Sequence, residues 1–383
     1  MEIVFWQNMP SHHQSGAIRS LSNILSGEVY GVYDTDLLSD RKMQGWQRPH
    51  MGVVKCTFLD QQTNPDLTVS TFIKQHPDAI HIFGGFRGCY SVELAWRELR
   101  KQPDAHLVCI AERPHFEGKL LEKLLARIWY RIFFLRFAHK FKALFAMGKL
   151  GVECFTSLGF PKGRIFPFIY QVDGSSSTFF PEASSSSLDS VFTPQCVKFV
   201  YIGGFSERKG VDIILNAFAG LPGLWKLDWI GCGGPLEPMV KNFADGNRIR
   251  FLGSIPSDQV IETLHGYDVC LVPSRHDGWG VVVNEALMAG CGVITSDNVG
   301  ASELIIASGA GRVIPADNVS ALQETLLDIL ARPKQVTDWA LRAISYRQVI
   351  APEVIGCYLH DVLRHLFEDY GSNKPSALWI TEQ

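Results

Sequence analysis

The 383-residue sequence has no C-x-x-C pair, no G-x-G-x-x-G after its first apolar run and no marked charge excess, its net charge being −3. Each absence excludes a class of protein. Nine cysteines lie scattered at 56, 89, 109, 154, 196, 232, 270, 291 and 357. An odd, unpatterned set without C-x-x-C fits neither a zinc ribbon nor a redox dithiol. Several sit in apolar runs such as His106 to Ile110, which reads as buried, reduced thiols in a cytoplasmic protein. The near-balanced charge argues against a surface built throughout for nucleic acid. Met1 to Gln7 has neither a basic nor a long apolar stretch, so no signal peptide is expected. Residues 118–145 are apolar but carry a cation every four or five positions, too many to cross a bilayer cheaply.

What is present is a chain that can bury substantial cores, 46% hydrophobic and 20% charged, and long enough for two domains. Apolar runs at Ile3–Trp6, Val29–Tyr33, Val53–Leu59, Ile80–Phe83, Leu107–Ala111, Leu144–Met147 and Ile165–Ile169 read as strands. Helical patterns at 15–25, 90–100 and 119–139 alternate with them. Serine-rich stretches at 174–178 and 184–187 then interrupt the pattern, as a linker does. A second series follows: strands at 197–202, 227–230, 249–252, 269–272 and 293–295, with helices from 209, at 260–264, from 282, at 319–331 and at 353–370. Alternating strands and helices predict α/β architecture: two tandem Rossmann-like, doubly wound domains facing across a cleft. The expected boundaries are 1–180, a linker at 181–196, 197–348, and a terminal helical segment, 349–383. Ligands of such folds gather at the carboxyl ends of the strands.

The most informative stretch runs from Pro273 to Gly290 and reads strand, loop, helix. Asp277 lies in the loop and Glu285 eight positions later, in the first turns of the helix. Gly278 and Gly280 carry no Cβ and let a ligand come close to the backbone. The amides around Gly280, Val281 and Val282 open the helix, an anion site suited to phosphate. Glu285 can accept two hydroxyl hydrogen bonds, as a ribose diol offers. A second loop of this kind, Gly203 to Gly210, follows the first strand of the second series. Its Arg208 and Lys209 place two cations where a diphosphate would lie, without a metal.

These motifs resemble the family 4 glycosyltransferases, which share the GT-B fold. Asp277 and Glu285 match the family's two acids separated by seven residues, with Asp in place of the commoner Glu. Gly231 to Pro235, Phe251 to Gly253 and Asp297 to Glu303 resemble its further turns, so the likeness is concentrated in about 197–310. The resemblance implies transfer of a sugar, with retention at the anomeric carbon, from a UDP- or GDP-sugar to a glycan or polyprenyl-linked acceptor. It implies that Glu285 holds the ribose, that Asp277, Gly278 and Trp279 meet the sugar, and that Arg208, Lys209, Gly204, Gly280, Val281 and Val282 hold the diphosphate. Many members carry Arg where this chain has Gly204, and Arg208 stands as its substitute. Asp277 and, in the loop after strand 107–111, Glu112 are the implied catalytic residues. His13, Gln14, Ser15 and Gly16, in the first strand–helix turn, are expected to face the cleft. The terminal helix is expected to cross back to the front domain. No metal or other cofactor is implied. The front turn is most similar to bacterial surface-polysaccharide members, which implies O-antigen, capsule or lipopolysaccharide assembly.

Two features stand apart from that resemblance. Asp34-Thr-Asp36 mimics a metal-binding D-x-D but follows a front strand, away from the donor motifs, and reads as a polar turn. Lys119, Lys123, Arg127 and Arg131 form one slowly turning cationic stripe, extended by Arg136, Lys140 and Lys142. Much of the apolar surface between these cations is expected to be core, and the excess to meet an anionic membrane surface along 119–142. The expected place is therefore the cytoplasm, peripheral on the inner face of the membrane. Two other functions fit a chain of this kind: an inactive sugar-nucleotide-binding protein, and a Rossmann oxidoreductase or epimerase, which the missing G-x-G-x-x-G disfavours.

Overall fold

The computed structural model describes residues 1–43, 45–116, 119–173, 195–368 and 373–380. The chain divides into two compact units. The first comprises, among these residues, Met1–Arg41, Arg48–Gln171 and Pro352–Ala377; the second takes Lys42–Gln47, Val172–Ala351 and the chain from Leu378. Of the linker expected at 181–196, all but the last two residues lie outside the described residues.

The first unit is a seven-stranded, wholly parallel sheet in the order β3-β2-β1-β4-β5-β6-β7. Its strands are β1 (Ile3–Gln7), β2 (Val29–Tyr33), β3 (Lys55–Phe58), β4 (Ile80–Gly84), β5 (His106–Ala111), β6 (Phe141–Met147) and β7 (Ile165–Phe168). Ile3 pairs with Val29 on one side and with Ile80 on the other. The central strands are continuous apolar runs because both faces of the sheet are covered. The helices are α1 (His12–Ile24), α2 (Ser39–Met43), α3 (Pro65–Gln75), α4 (Tyr90–Leu99), α5 (Leu120–Phe137) and α6 (Gly148–Ser157). Ser11 caps α1 by accepting from the His13 amide, and Asn64 caps α3 ahead of Pro65.

The second unit repeats the design with six parallel strands in the order β10-β9-β8-β11-β12-β13. These are β8 (Val197–Ile202), β9 (Trp225–Ile230), β10 (Ile249–Gly253), β11 (Val269–Val272), β12 (Gly292–Ser296) and β13 (Gly311–Ile314). Helices α7 (Val211–Phe218), α8 (Glu237–Phe243), α9 (Val260–Leu264), α10 (Val282–Ala289), α11 (Ser302–Ser308), α12 (Val319–Ala331) and α13 (Lys334–Tyr346) connect and cover them. In each unit the strand order reverses at the first strand, between β1 and β4 and between β8 and β11. The loops leaving those strand pairs flank a crevice of the kind that binds ligands.

The last helix, α14 (Pro352–Phe367), packs against α1 within the first unit. Gly356 makes that approach possible: a Cβ there would stand 2.5 Å from Ser20 Cβ and 2.9 Å from the Ala17 carbonyl oxygen. In a free helix Gly→Ala gains up to about 1 kcal/mol. Here the added methyl overpacks a helix crossing, so Gly356→Ala is expected to cost about 1–3 kcal/mol. Urea denaturation measures it, and a more stable variant would refute the close crossing.

Candidate functional site

In the second unit the motifs come together at the switch point. The loop after β8 turns through Glu207–Lys209, and the loop after β11 spans 273–281 before α10 begins. Between them Lys209 Nζ meets Asp277 Oδ2 at 2.5 Å, and both side chains are mostly buried. The helix expected from Lys209 starts at Val211 instead, because Gly210 takes a left-handed conformation (φ +71°). A Cβ on Gly210 would overlap the Pro273 carbonyl, so glycine lets the two loops touch.

A third loop, after β12, supports Asp277 from behind. The Asp277 amide donates to the Asn298 carbonyl at 3.2 Å, and the Gly300 amide donates to the Asp277 carbonyl at 3.3 Å. Gly280 has φ +88°, and a Cβ there would lie 2.7 Å from Val299 Cγ1. Trp279 is buried, and its indole N–H donates to Asn284 Oδ1 at 2.8 Å. The ring of Trp279 is therefore a pin between loop and helix and presents no face to a ligand.

Arg275, which sequence reasoning passed over, is the main clamp. It is bidentate to Asp212 at 2.7 Å, reaches Asp317 at 2.7 Å, and donates to the Glu207 carbonyl at 2.6 Å. Its own amide donates to the Arg208 carbonyl at 2.8 Å. Arg208 is exposed and donates to the His276 carbonyl at 3.1 Å, so it too braces the loop. Gly204 is exposed beside the turn of Gly231 to Gly234, and its carbonyl accepts from the Tyr201 hydroxyl at 2.7 Å. The Phe205 amide donates to the Gly233 carbonyl at 2.8 Å, which draws the loop after β9 into the same region.

The amides of Gly280, Val281 and Val282 find no acceptor among the described residues. They are the open N-terminus of α10, a fixed cluster of donors beside the Lys209 ammonium. Glu285 stands in the first turn of α10. Its carboxylate makes no hydrogen bond or ion pair among the described residues, and burial pushes its pKa up to about 7. A carboxyl so placed favours the neutral acid unless hydroxyl donors reach it.

The first unit carries a smaller polar cluster at its strand ends. The Tyr170 hydroxyl donates to the exposed carboxylate of Glu112 and accepts from Gln14, and the His13 ring lies 5.8 Å from the Tyr170 ring. Gln7 donates to Gln14 in turn. Burial, with His12 and Arg41 nearby, depresses the His13 pKa to about 3, so the ring is neutral. Tyr170 was missed because it follows β7 with no motif around it. The first turn is also shorter than expected. Helix α1 begins at His12, so Ser15 and Gly16 sit inside it and are buried; only His13 and Gln14 reach the cluster. Asp34 receives the amides of Tyr90 and Ser91 at 2.9 and 2.6 Å, so it caps α4 from the end of β2.

The family match to known proteins lies in the second unit, and the likeness of fold extends over nearly the whole chain. Residues 196–332 match the family model described as glycosyl transferases group 1. An uncharacterized glycosyltransferase of Methanocaldococcus jannaschii is 30% identical over 134 residues, which are 34% of this chain and 37% of that protein. A lipopolysaccharide core biosynthesis mannosyltransferase of Rhizobium leguminosarum is 24% identical over 164 residues, 40% of this chain and 46% of that one. The chain thus spans less than half the length of these curated relatives. HepE from Anabaena, solved in complex with UDP and glucose, superposes with a TM-score of 0.67 at 14% identity, over 95% of this chain and 99% of that one.

Two outcomes test this geometry. Arg275→Leu strands Asp212 and Asp317 and is expected to cost about 2 kcal/mol in urea denaturation. Arg208→Leu, which loses one carbonyl contact, should cost clearly less; equal losses would remove Arg275 as the clamp. The second outcome concerns pH. A carboxyl whose folded pKa stands above its unfolded value carries no penalty in acid; the penalty builds as pH rises from the ordinary value of 4.5 to about 7 and is complete above that. Glu285→Gln should therefore melt higher than the wild type at pH 8 and level with it at pH 4. A difference that does not change with pH would refute the burial of that carboxyl. With two parallel doubly wound sheets and a superposition along nearly its whole length, the chain has the GT-B fold of known glycosyltransferases.

Proposed function

We propose that the chain is a retaining family 4 glycosyltransferase that moves a sugar from a UDP- or GDP-sugar to a glycan or polyprenyl-linked acceptor. The observation that carries this reading is the pairing of Lys209 and Asp277 beside the open amides of Gly280, Val281 and Val282. Lys209 spends one N–H on Asp277 and has two left for a diphosphate. The amides and the α10 dipole add fixed positive potential where negative charge accumulates as the donor breaks. In the step proposed, the bond from the anomeric carbon to the β-phosphate oxygen breaks, and its electron pair leaves with the diphosphate. The acceptor oxygen bonds to the same face of that carbon and passes its proton to the departing phosphate oxygen. Glu285 takes the two ribose hydroxyls, which gives its half-buried carboxylate partners, and Asp277 takes a sugar hydroxyl. Glu112, with Tyr170 and Gln14, serves the acceptor side. The chemistry asks for no metal.

The UDP and glucose of the Anabaena structure favour a nucleotide-sugar donor, and the Rhizobium relative favours lipopolysaccharide or another bacterial surface polysaccharide as product. A lipid-linked acceptor would bring the protein to the anionic inner face of the cytoplasmic membrane, which residues 119–142 suit by their charge. Thermal shift against UDP-, GDP- and ADP-sugars identifies the donor, since a ligand of the folded state raises the melting point by mass action. Glu285→Ala should remove that shift and slow transfer about a hundredfold, the cost of two hydrogen bonds to a charged group. Full transfer by this variant would end the donor assignment. Nucleotide binding with no transfer to any acceptor would instead favour a sugar-nucleotide-binding protein.

A further inference from the structure

Helix α5 is apolar on two opposite faces, and only one is covered. Tyr130 and Phe134 are buried, with Phe133 and Phe137 half-buried beside them. Phe86 and Trp96 receive this face, with ring centroids 5.1 Å apart for Phe86–Phe134 and for Trp96–Phe137. On the opposite side Leu121, Leu124, Leu125, Ile128, Ile132 and Leu135 are 41–87% exposed. At about 100° per residue these six fall within an arc of about 100°, centred opposite Tyr130. The apolar surface expected to be mostly core is thus mostly outside.

The edges of that arc are basic. Arg127 and Arg131 run along one side and Arg136 lies on the other; all are exposed. None forms an ion pair among the described residues: Arg127 lies over the Phe116 ring, Arg131 donates to the Ser157 carbonyl and Arg136 lies over the Phe137 ring. Residues 119–142 hold seven cations and one carboxylate, in a chain whose net charge is −3. Trp129, under the Arg87 guanidinium, flanks the arc. No helix among the described residues is long and apolar enough to cross a membrane. A second copy of the chain fits this face poorly, because a two-fold contact would set one basic edge against another.

We propose that α5 is an in-plane membrane anchor: its row of six outward aliphatic side chains enters the acyl boundary of an anionic leaflet while the flanking Arg side chains engage the headgroups. This inference rests on the membrane association proposed above and adds to it that apolar insertion, not charge alone, holds the protein. An amphipathic helix of this kind lies flat, with long cations reaching up to the phosphates.

The test is flotation of the full chain with vesicles of phosphatidylcholine alone or mixed with phosphatidylglycerol, at low and high salt. The wild type should bind the mixed vesicles and remain largely bound in high salt, where surface charge is screened. Leu124→Ser with Ile128→Asn and Leu135→Asn should lower the bound fraction at least tenfold while leaving the melting point and nucleotide binding unchanged. Arg127→Gln with Arg131→Gln and Arg136→Gln should erase the preference for anionic vesicles. If the apolar variant binds like the wild type and salt strips both, charge alone holds the protein; the insertion fails and the membrane reading survives. A wild type that binds no vesicle overturns both. A self-association that the apolar variant abolishes, without vesicle binding, assigns the face to a second copy.

Discussion

The site of the second unit depends on how closely three loops approach one another. Lys209 and Asp277 are 68 positions apart, and they meet only because β8 and β11 are neighbours whose loops leave the same edge of the sheet. That meeting tolerates no added methyl at Gly210 or Gly280, where a Cβ would press on Pro273 or Val299. Arg275 then ties the two loops by side chain and backbone to Asp212, Asp317, Glu207 and Arg208. Placing the charges on a clamped frame means little conformational entropy remains to be lost when a ligand arrives.

The same frame leaves other groups unsatisfied. Among the described residues the amides opening α10 lack acceptors, and the half-buried carboxylate of Glu285 has no partner. In a structural region such groups would be capped or exposed, since a buried unpaired polar group costs stability. Here they stand side by side, and one kind of molecule relieves both: an anion against the amides joined to a diol against the carboxylate. The first unit shows the contrast. Asp34 spends both oxygens on the amides of α4, and a motif that mimics a metal site becomes a cap.

Much of this was legible in the sequence, for reasons that differ between residues. Strands such as Val29–Tyr33 and Val269–Val272 are short runs without a polar side chain that ionises at neutral pH, rich in valine, and the structure has them at those bounds. Lys209, Asp277 and Glu285 were legible because glycines and a helix start give their motif a local shape. The motif left the Trp279 ring unassigned; its place depends on Asn284, five residues on, whose side-chain oxygen accepts from the indole N–H. Ser15 and Gly16 were misplaced because the Ser11 cap starts α1 earlier than its apolar pattern does. Helices α3, with Asn64 and Pro65 at its start, and α13, with Val336, Trp339 and Ala343 inward, carried signals that went unread. Arg275 and Tyr170 had no pattern at all, because their roles arise from partners distant in the chain.

Helix α5 marks the limit of periodicity as a guide. A helix with one apolar stripe announces its buried side. Apolar on two opposed sides, α5 matches a wholly buried helix nearly as well, and only its cations spoil the match. Sequence alone cannot divide such a helix between two environments, because protein interior and lipid select the same side chains. The structure divides it. Aromatic rings face Phe86 and Trp96, where rigid shapes must interlock, and branched aliphatic chains face outward, where a fluid medium asks only for hydrophobic volume. That partition is what a protein–lipid boundary running along the helix axis would impose, and a solvated face would have no reason to impose it.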